Sequence, residues 1–414
     1  MKRHFLVIGG IVLVLAGALG IGLTLFGQRA VVHAATVMAP RFEVDPLWPK
    51  PLPNHWILGQ TIGVSADSHD HIWIIHRPGS LETGEQHATT TPPIAQCCMA
   101  APPILEFDSA GTLVGHWGGK GEGYDWPDSN HGITVDSKGN VWIGGNGRGP
   151  QSGRGAVNGQ DEEVGGVASF HDNMILKFTH EGKFLLQIGK PSHSKGSNDI
   201  ENLRLPAKIF VDEKRNEIYV ADGYGNHRVI VFDSETGKYK RHWGAYGHKP
   251  SDADLGPYNP DAPVAQQFRN PVHCAMLAHD DLLYVCDRAN DRIQVFKPDG
   301  TFVKEAFIEK RTLGSGSVWD MAFSADPQQK YLYVSDGENG RIHIVDRDSL
   351  EVLTSFGEGG RQPGEFYGVH SIATDSKGNI YETETYRGQR VQKFVYKGMA
   401  PVTTKDQGVV WPKK

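Results

Sequence analysis

Four cysteines in 414 residues are too few to staple a fold of this size. Cys97 and Cys98 are adjacent and no Cys-x-x-Cys spacing occurs, so no disulfide framework is expected. Cys274 and Cys286 flank a hairpin turn near Asp280-Asp281, where a cross-strand disulfide and two packed thiols are equally open. No long run of one charge occurs, and the net charge of −6 gives no electrostatic reason to expect nucleic acid as a partner. Helical periodicity is scarce and heptads are missing, which excludes a coiled coil or helical bundle. The 50 glycines and 24 prolines, by contrast, are spread along the whole chain. That pattern suits many short strands joined by tight turns.

The first forty residues stand apart. Lys2, Arg3 and His4 precede an apolar run from Phe5 to Phe26, followed by Arg29 and Val32-His33-Ala34-Ala35. A charged start, an apolar stretch and small residues at a cleavage point describe a secretory signal over residues 1–35. The run also reaches the length of about 20 residues that spans a bilayer, so an uncleaved anchor is the alternative. Either way the rest of the chain is expected outside the cytoplasm, periplasmic or extracellular, with a membrane contact only through that segment.

What is abundant is repetition. The chain reads IGVSADSHDHIWIIHR from Ile62 with ILEFDSAGTLVGHWG after it, HGITVDSKGNVWIGG from His131, and AKIFVDEKRNEIYVADGYGNHRVIVF from Ala207. It continues HCAMLAHDDLLYVCDRANDRIQVF from His273, WDMAFSADPQQKYLYVSDGENGRIHIV from Trp319 and HSIATDSKGNIYETETYRGQRVQKF from His370. Each copy is an apolar strand, a turn, a second strand, an acid followed by Arg-Val/Ile, and two more strands. Six copies of four antiparallel strands, A to D, predict an all-β, six-bladed β-propeller of NHL-type repeats over residues 41–400. The blades are expected near 60–118, 129–189, 205–244, 268–308, 317–357 and 368–399, with a tail at 401–414. The segment from Arg41 to Pro53 would lend an outer strand to blade 6 and close the ring. The pairs Asp222…Arg228, Asp287…Arg292 and Asp336…Arg341 read as structural salt bridges.

Aligned on the start of strand A, the copies place Ile62, His131, Ala207, His273, Trp319 and His370 in phase. Blades 2, 4 and 6 carry histidine. Strand A lines the central channel and alternate blades lie about 120° apart, so three imidazoles converge on one axial point. Three histidines with an open position suit a transition metal, Zn²⁺ best. Residues ending strand B surround the same point, namely Arg77, Tyr224 and Arg288. The insertions Pro78–Pro103, Gly147–Ser169 and Tyr246–Phe268 belong to this end as well, and long loops on a rigid scaffold are where sites usually lie.

The stretches IIHRPG, NHGITVD, VADGYGNHRVIVF, PVHCAML, CDRANDRIQVF and GVHSIATD resemble the peptidyl-α-hydroxyglycine α-amidating lyase family, in the same order and blades. The resemblance runs from about Gly59 to Lys397. It implies a zinc ion on His131, His273 and His370, a catalytic tyrosine at Tyr224 and active-site arginines at Arg77 and Arg288. It also implies a structural calcium through the backbone carbonyls of Val64 and Ile133 plus an aspartate, but that aspartate position is Ser371 here. Calcium takes hard, charged oxygen ligands, so a site without its carboxylate would be weak. The family's methionine two residues before the last histidine is Gly368, and Gly225 stands where a disulfide cysteine of the animal enzymes would be.

The expected reaction is cleavage of the C–N bond of a peptidyl- or N-acyl-α-hydroxyglycine into an amide and glyoxylate. Tyr224 would take the hydroxyl proton, and Arg77 and Arg288 would hold the carboxylate and support the tyrosinate. The substrate would be a small molecule or a peptide. A metal-dependent hydrolase that activates water, and a non-catalytic propeller binding through its rim, are the alternatives.

Overall fold

In the second strand of the first five repeats most residues are apolar and nearly all are buried, which a surface strand would not tolerate. The computed structural model describes residues 36–148 and 171–412 and shows why. In blade 3, Ile218 and Val220 of strand B (Glu217–Asp222) pack with Trp142 and Ile175 of blade 2. Tyr219 and Ala221, pointing the opposite way, pack with Ala275, Leu283 and Val285 of blade 4. Successive strand residues face opposite sides of a sheet. A blade clamped between two neighbours therefore buries both faces, and alternation vanishes from its central strands. It returns in the outermost strand, for instance Phe184–Gly189 of blade 2, where exposure rises.

Six four-stranded antiparallel sheets form the propeller. The sixth consists of Val369–Thr374, Ile380–Glu384, Val391–Pro401 and, as its outer strand, Met38–Asp45 from the start of the described chain. After Pro401 the chain turns back along blade 5. Ser355 and Gly357 donate to the carbonyls of Lys405 and Gly408, and Val44 donates to that of Val410. The two chain ends thus interlock blades 5 and 6.

The acid-to-arginine motif acts as a latch at one rim. Arg228 and Asp222 are both fully buried and 2.8 Å apart, and the guanidinium also donates to the carbonyls of Ser197 and Asn202 on the incoming connection. Arg292 and Asp287 repeat this at 2.7 Å, with Ala265 and Gln267 carbonyls. Glu384 and Arg390 do so in blade 6 at 2.8 Å. Blade 5 departs from the expected pairing. Arg341 turns outward to Asp406 of the C-terminal segment at 3.0 Å, and Asp336 is taken by His343 Nε2 at 3.1 Å and by Asn339. The tail carboxylate offers the arginine a partner outside the blade, while His343, two residues on and facing the same way, fills its place inside.

Cys274 and Cys286 lie directly opposite each other on strands A and B of blade 4 and are joined as a disulfide, with Cα atoms 4.8 Å apart. The signal or anchor segment at 1–35 and nearly all of the Gly147–Ser169 insertion lie outside the described residues.

Candidate metal centre and active site

Each in-phase histidine sits at the inner end of its strand A: His131 in Asn130–Val135, His273 in Val272–Leu277 and His370 in Val369–Thr374. All three are at most 3% exposed. Their ring centroids form a nearly equilateral triangle of 5.1, 4.9 and 4.8 Å, and one nitrogen from each lies within 4.8 Å of the others.

The other three in-phase positions supply backbone carbonyls. His131 Nδ1 donates to the carbonyl of Ala207 at 2.8 Å, and His273 Nδ1 donates to that of Trp319. His370 faces the Ile62 backbone in the equivalent way, although its Nδ1 falls short of full hydrogen-bond geometry. A donating Nδ1–H fixes the tautomer and leaves the Nε2 lone pair toward the axis, which is how ligating histidines are oriented. Odd blades thus aim the histidines of even blades.

Burial keeps these rings neutral. It pushes His131 down to about 3, helped by the charges of Arg77, Arg288 and Lys208. Burial likewise holds His273 and His370 well below the usual imidazole value, with the neighbouring histidines and Arg288 adding to it. Three neutral nitrogen donors, two of them braced by backbone carbonyls, fit a borderline transition ion.

Tyr224 closes the triangle. Its hydroxyl lies 3.1 Å from His131 Nε2 and 2.9 Å from His273 Nε2, and Arg288 Nη1 donates to it at 3.1 Å. The tyrosine stands two residues beyond the latch acid Asp222, in a loop drawn tight by Arg228 and by the Leu205 carbonyl, which accepts from Tyr224 N. A side chain at Gly223 would overlap the Val272 backbone, so glycine there lets the loop press against blade 4.

Arg288 begins a short 3₁₀ turn just past Asp287, and its guanidinium stacks 4.6 Å above the Trp319 ring. Arg77 ends strand B of blade 1, and its guanidinium donates to Asn130 O, Gln60 Oε1 and Asn146 Oδ1, all of them neutral. Burial lowers its pKa, and the more distant charges of Tyr224, Tyr386 and Asp172 oppose that shift. No carboxylate among the described residues pairs with Arg77 or Arg288. Two partly dehydrated guanidinium groups beside three neutral imidazoles make a cationic pocket suited to an anion.

Tyr386 also belongs here and escaped the sequence reading. It lies 6.2 Å from the Trp319 ring, and burial raises its phenol while the Arg288 charge opposes. Its signal was present: Tyr386 stands two residues past Glu384 and four before Arg390, the same offsets as Tyr224 between Asp222 and Arg228.

Val64 and Ile133 lie in strands A of blades 1 and 2, two residues beyond the in-phase positions. The missing calcium carboxylate is not supplied freely by a neighbour. Ser371 Oγ donates to Asp320 Oδ2 at 2.7 Å, and both Asp320 oxygens already accept from Lys208 Nζ, at 2.8 and 2.6 Å. The residues present do not fit a calcium ion.

Residues 203–232, which take in the first three strands of blade 3 almost to their end, match the NHL repeat model. A rat protein called peptidylglycine alpha-amidating monooxygenase is 28% identical over 78% of this chain and 29% of its own length. Drosophila melanogaster peptidyl-alpha-hydroxyglycine alpha-amidating lyase 1 is 23% identical over 67% of this chain and 47% of its own. The chain is similar, at low identity, to proteins that include named amidating lyases. It spans less than a third of the rat protein and about half of the fly lyase. A solved streptogramin B lyase covers 87% of this chain and 98% of its own at 11% identity, with a TM-score of 0.46.

Proposed function

We propose that the protein is a zinc-dependent lyase that cleaves N-acyl- or peptidyl-α-hydroxyglycines into an amide and glyoxylate. The observation that carries this reading is the Tyr224 hydroxyl, held against two imidazole Nε2 atoms by Arg288, at the focus of three neutral histidines. His131, His273 and His370 would hold the ion, which when bound supplies Lewis acidity toward an alcohol oxygen. Arg77, without a carboxylate partner of its own, takes the substrate carboxylate and fixes its orientation. Tyr224 accepts the proton of the carbinol hydroxyl. The carbon–oxygen double bond forms as the C–N electron pair leaves to nitrogen, and the proton is returned to that nitrogen, giving R–CO–NH₂ and glyoxylate. Nothing is oxidised or reduced. Arg288 keeps the phenol oxygen aimed and stabilises charge on it.

Support also comes from relatives whose names include the α-hydroxyglycine lyases. As part of the same reading, the N-terminal segment exports the protein, cleaved as a signal or kept as an anchor, so its substrates are peptides or small amides outside the cytoplasm. The test is elemental analysis of the purified protein together with a glyoxylate-release assay on a short acyl-α-hydroxyglycine. About one equivalent of zinc and glyoxylate formed in step with amide are expected. Zinc with hydrolysed peptide or ester bonds instead would favour a water-activating hydrolase, and neither metal nor product would leave a binding propeller.

A further inference from the structure

The residues that follow the six in-phase positions make a second in-phase layer in the sequence: Gly63, Gly132, Lys208, Cys274, Asp320 and Ser371. One cation and one carboxylate occur in it, and they meet. Lys208 Nζ of blade 3 reaches both carboxylate oxygens of Asp320 in blade 5. The lysine side chain is 11% exposed and the aspartate 1%. Blade 6 completes the cluster, with Ser371 Oγ donating at 2.7 Å and Ile372 N at 3.1 Å to Asp320 Oδ2. The neighbouring sulfurs of Cys274 and Cys286 are bonded to each other and offer no thiolate.

A carboxylate this deep requires a countercharge, because a lone buried ion is far more costly than a paired one. In a channel built from backbone, that countercharge can be a bound divalent ion or a side chain. We propose that Lys208 is a tethered cation occupying the charge position a divalent ion would otherwise fill, tying blades 3, 5 and 6 together at the axis without calcium. An ammonium on the chain cannot dissociate, so the joint holds at any calcium concentration. The cost is that Asp320 is closed to metal. This inference does not depend on the lyase reading, since the layer lies beneath the histidines and takes no part in proton transfer.

The test is thermal unfolding in buffer stripped of calcium but kept in micromolar zinc, repeated with millimolar CaCl₂, alongside calcium content by elemental analysis. Wild type should hold no stoichiometric calcium and melt at the same temperature in both buffers. Lys208→Met leaves the Asp320 carboxylate without its partner, so it should melt lower without calcium and recover by about 5 °C or more with it. The double variant Lys208→Met/Asp320→Asn should be calcium-insensitive. The proposal is overturned if wild type carries stoichiometric calcium. It is equally overturned if Lys208→Met is folded and calcium-insensitive, or stays unfolded even in calcium, because the lysine would then be doing something a divalent ion does not replace.

Discussion

Two imidazole nitrogens and one guanidinium meet at a single phenol oxygen, that of Tyr224. Phenylalanine there keeps the ring but removes the hydroxyl that meets His131 and His273. Tyr224→Phe should retain metal and fold while losing about 10²- to 10⁴-fold in kcat, the usual contribution of a positioned base. Steady-state kinetics beside metal analysis check this, and near wild-type turnover would falsify the role given to the phenol. The arginines should separate in the same assay. Arg77 touches only neutral groups, so Arg77→Ala should act chiefly by raising KM. Arg288 touches the phenol, so its alanine variant should lower kcat as well.

At the scale of the element, the turns after strand B of blades 3, 4 and 6 bring Tyr224, Arg288 and Tyr386 toward the histidines, and in these blades the latch acid sets where the turn begins. Blade 4 shows what that turn costs. Asp291 has a left-handed backbone at φ 54°, accepts from Ser317 N through Oδ1 at 2.9 Å, and leaves Oδ2 without a partner. Burial, with the charges of Asp336 and Asp287, pushes its carboxyl up to about 7. An unfolded aspartate ionises near pH 4, so the native preference for the proton adds stability that is intact below about pH 4 and gone by about pH 7. Asparagine mimics the protonated form and tolerates the left-handed region. Asp291→Asn should therefore match wild type near pH 4 and exceed it increasingly up to pH 7, with a constant gain above. Denaturant midpoints across that range measure it, and a gap that is the same at every pH would contradict the assigned ionisation.

At the scale of the molecule, the histidine focus is a property of the closed ring. No single blade could hold His131 near pKa 3; that requires six strands packed around one axis and water kept out. An exposed imidazole gains its proton near pH 6.5 and loses metal affinity there. Here the depressed values keep the lone pairs free well below that, so bound metal should survive dialysis at about pH 5 and be released only as the pH approaches about 3. Metal content after dialysis at stepped pH tests this. Release centred near pH 6.5 would mean that the channel is wet.

The linear chain determined the repeat, and with it the six blades, because strand period and turn residues recur within each copy. It also determined the histidine focus. Phase is a one-dimensional property, and radial symmetry turns equal phase into a shared point in space, so His131, His273 and His370 were legible before any coordinates. Tyr386 was legible by the same rule and was overlooked. What depended on contacts between distant segments needed the tertiary structure. Arg341 leaves Asp336 because Asp406 arrives from the returning tail. The Ala207 and Trp319 carbonyls brace histidines of other blades, since backbone groups carry no mark in a sequence. Lys208 and Asp320, 112 positions apart, form an ion pair only because the ring places blades 3 and 5 across one narrow channel, where neither charge can be solvated alone.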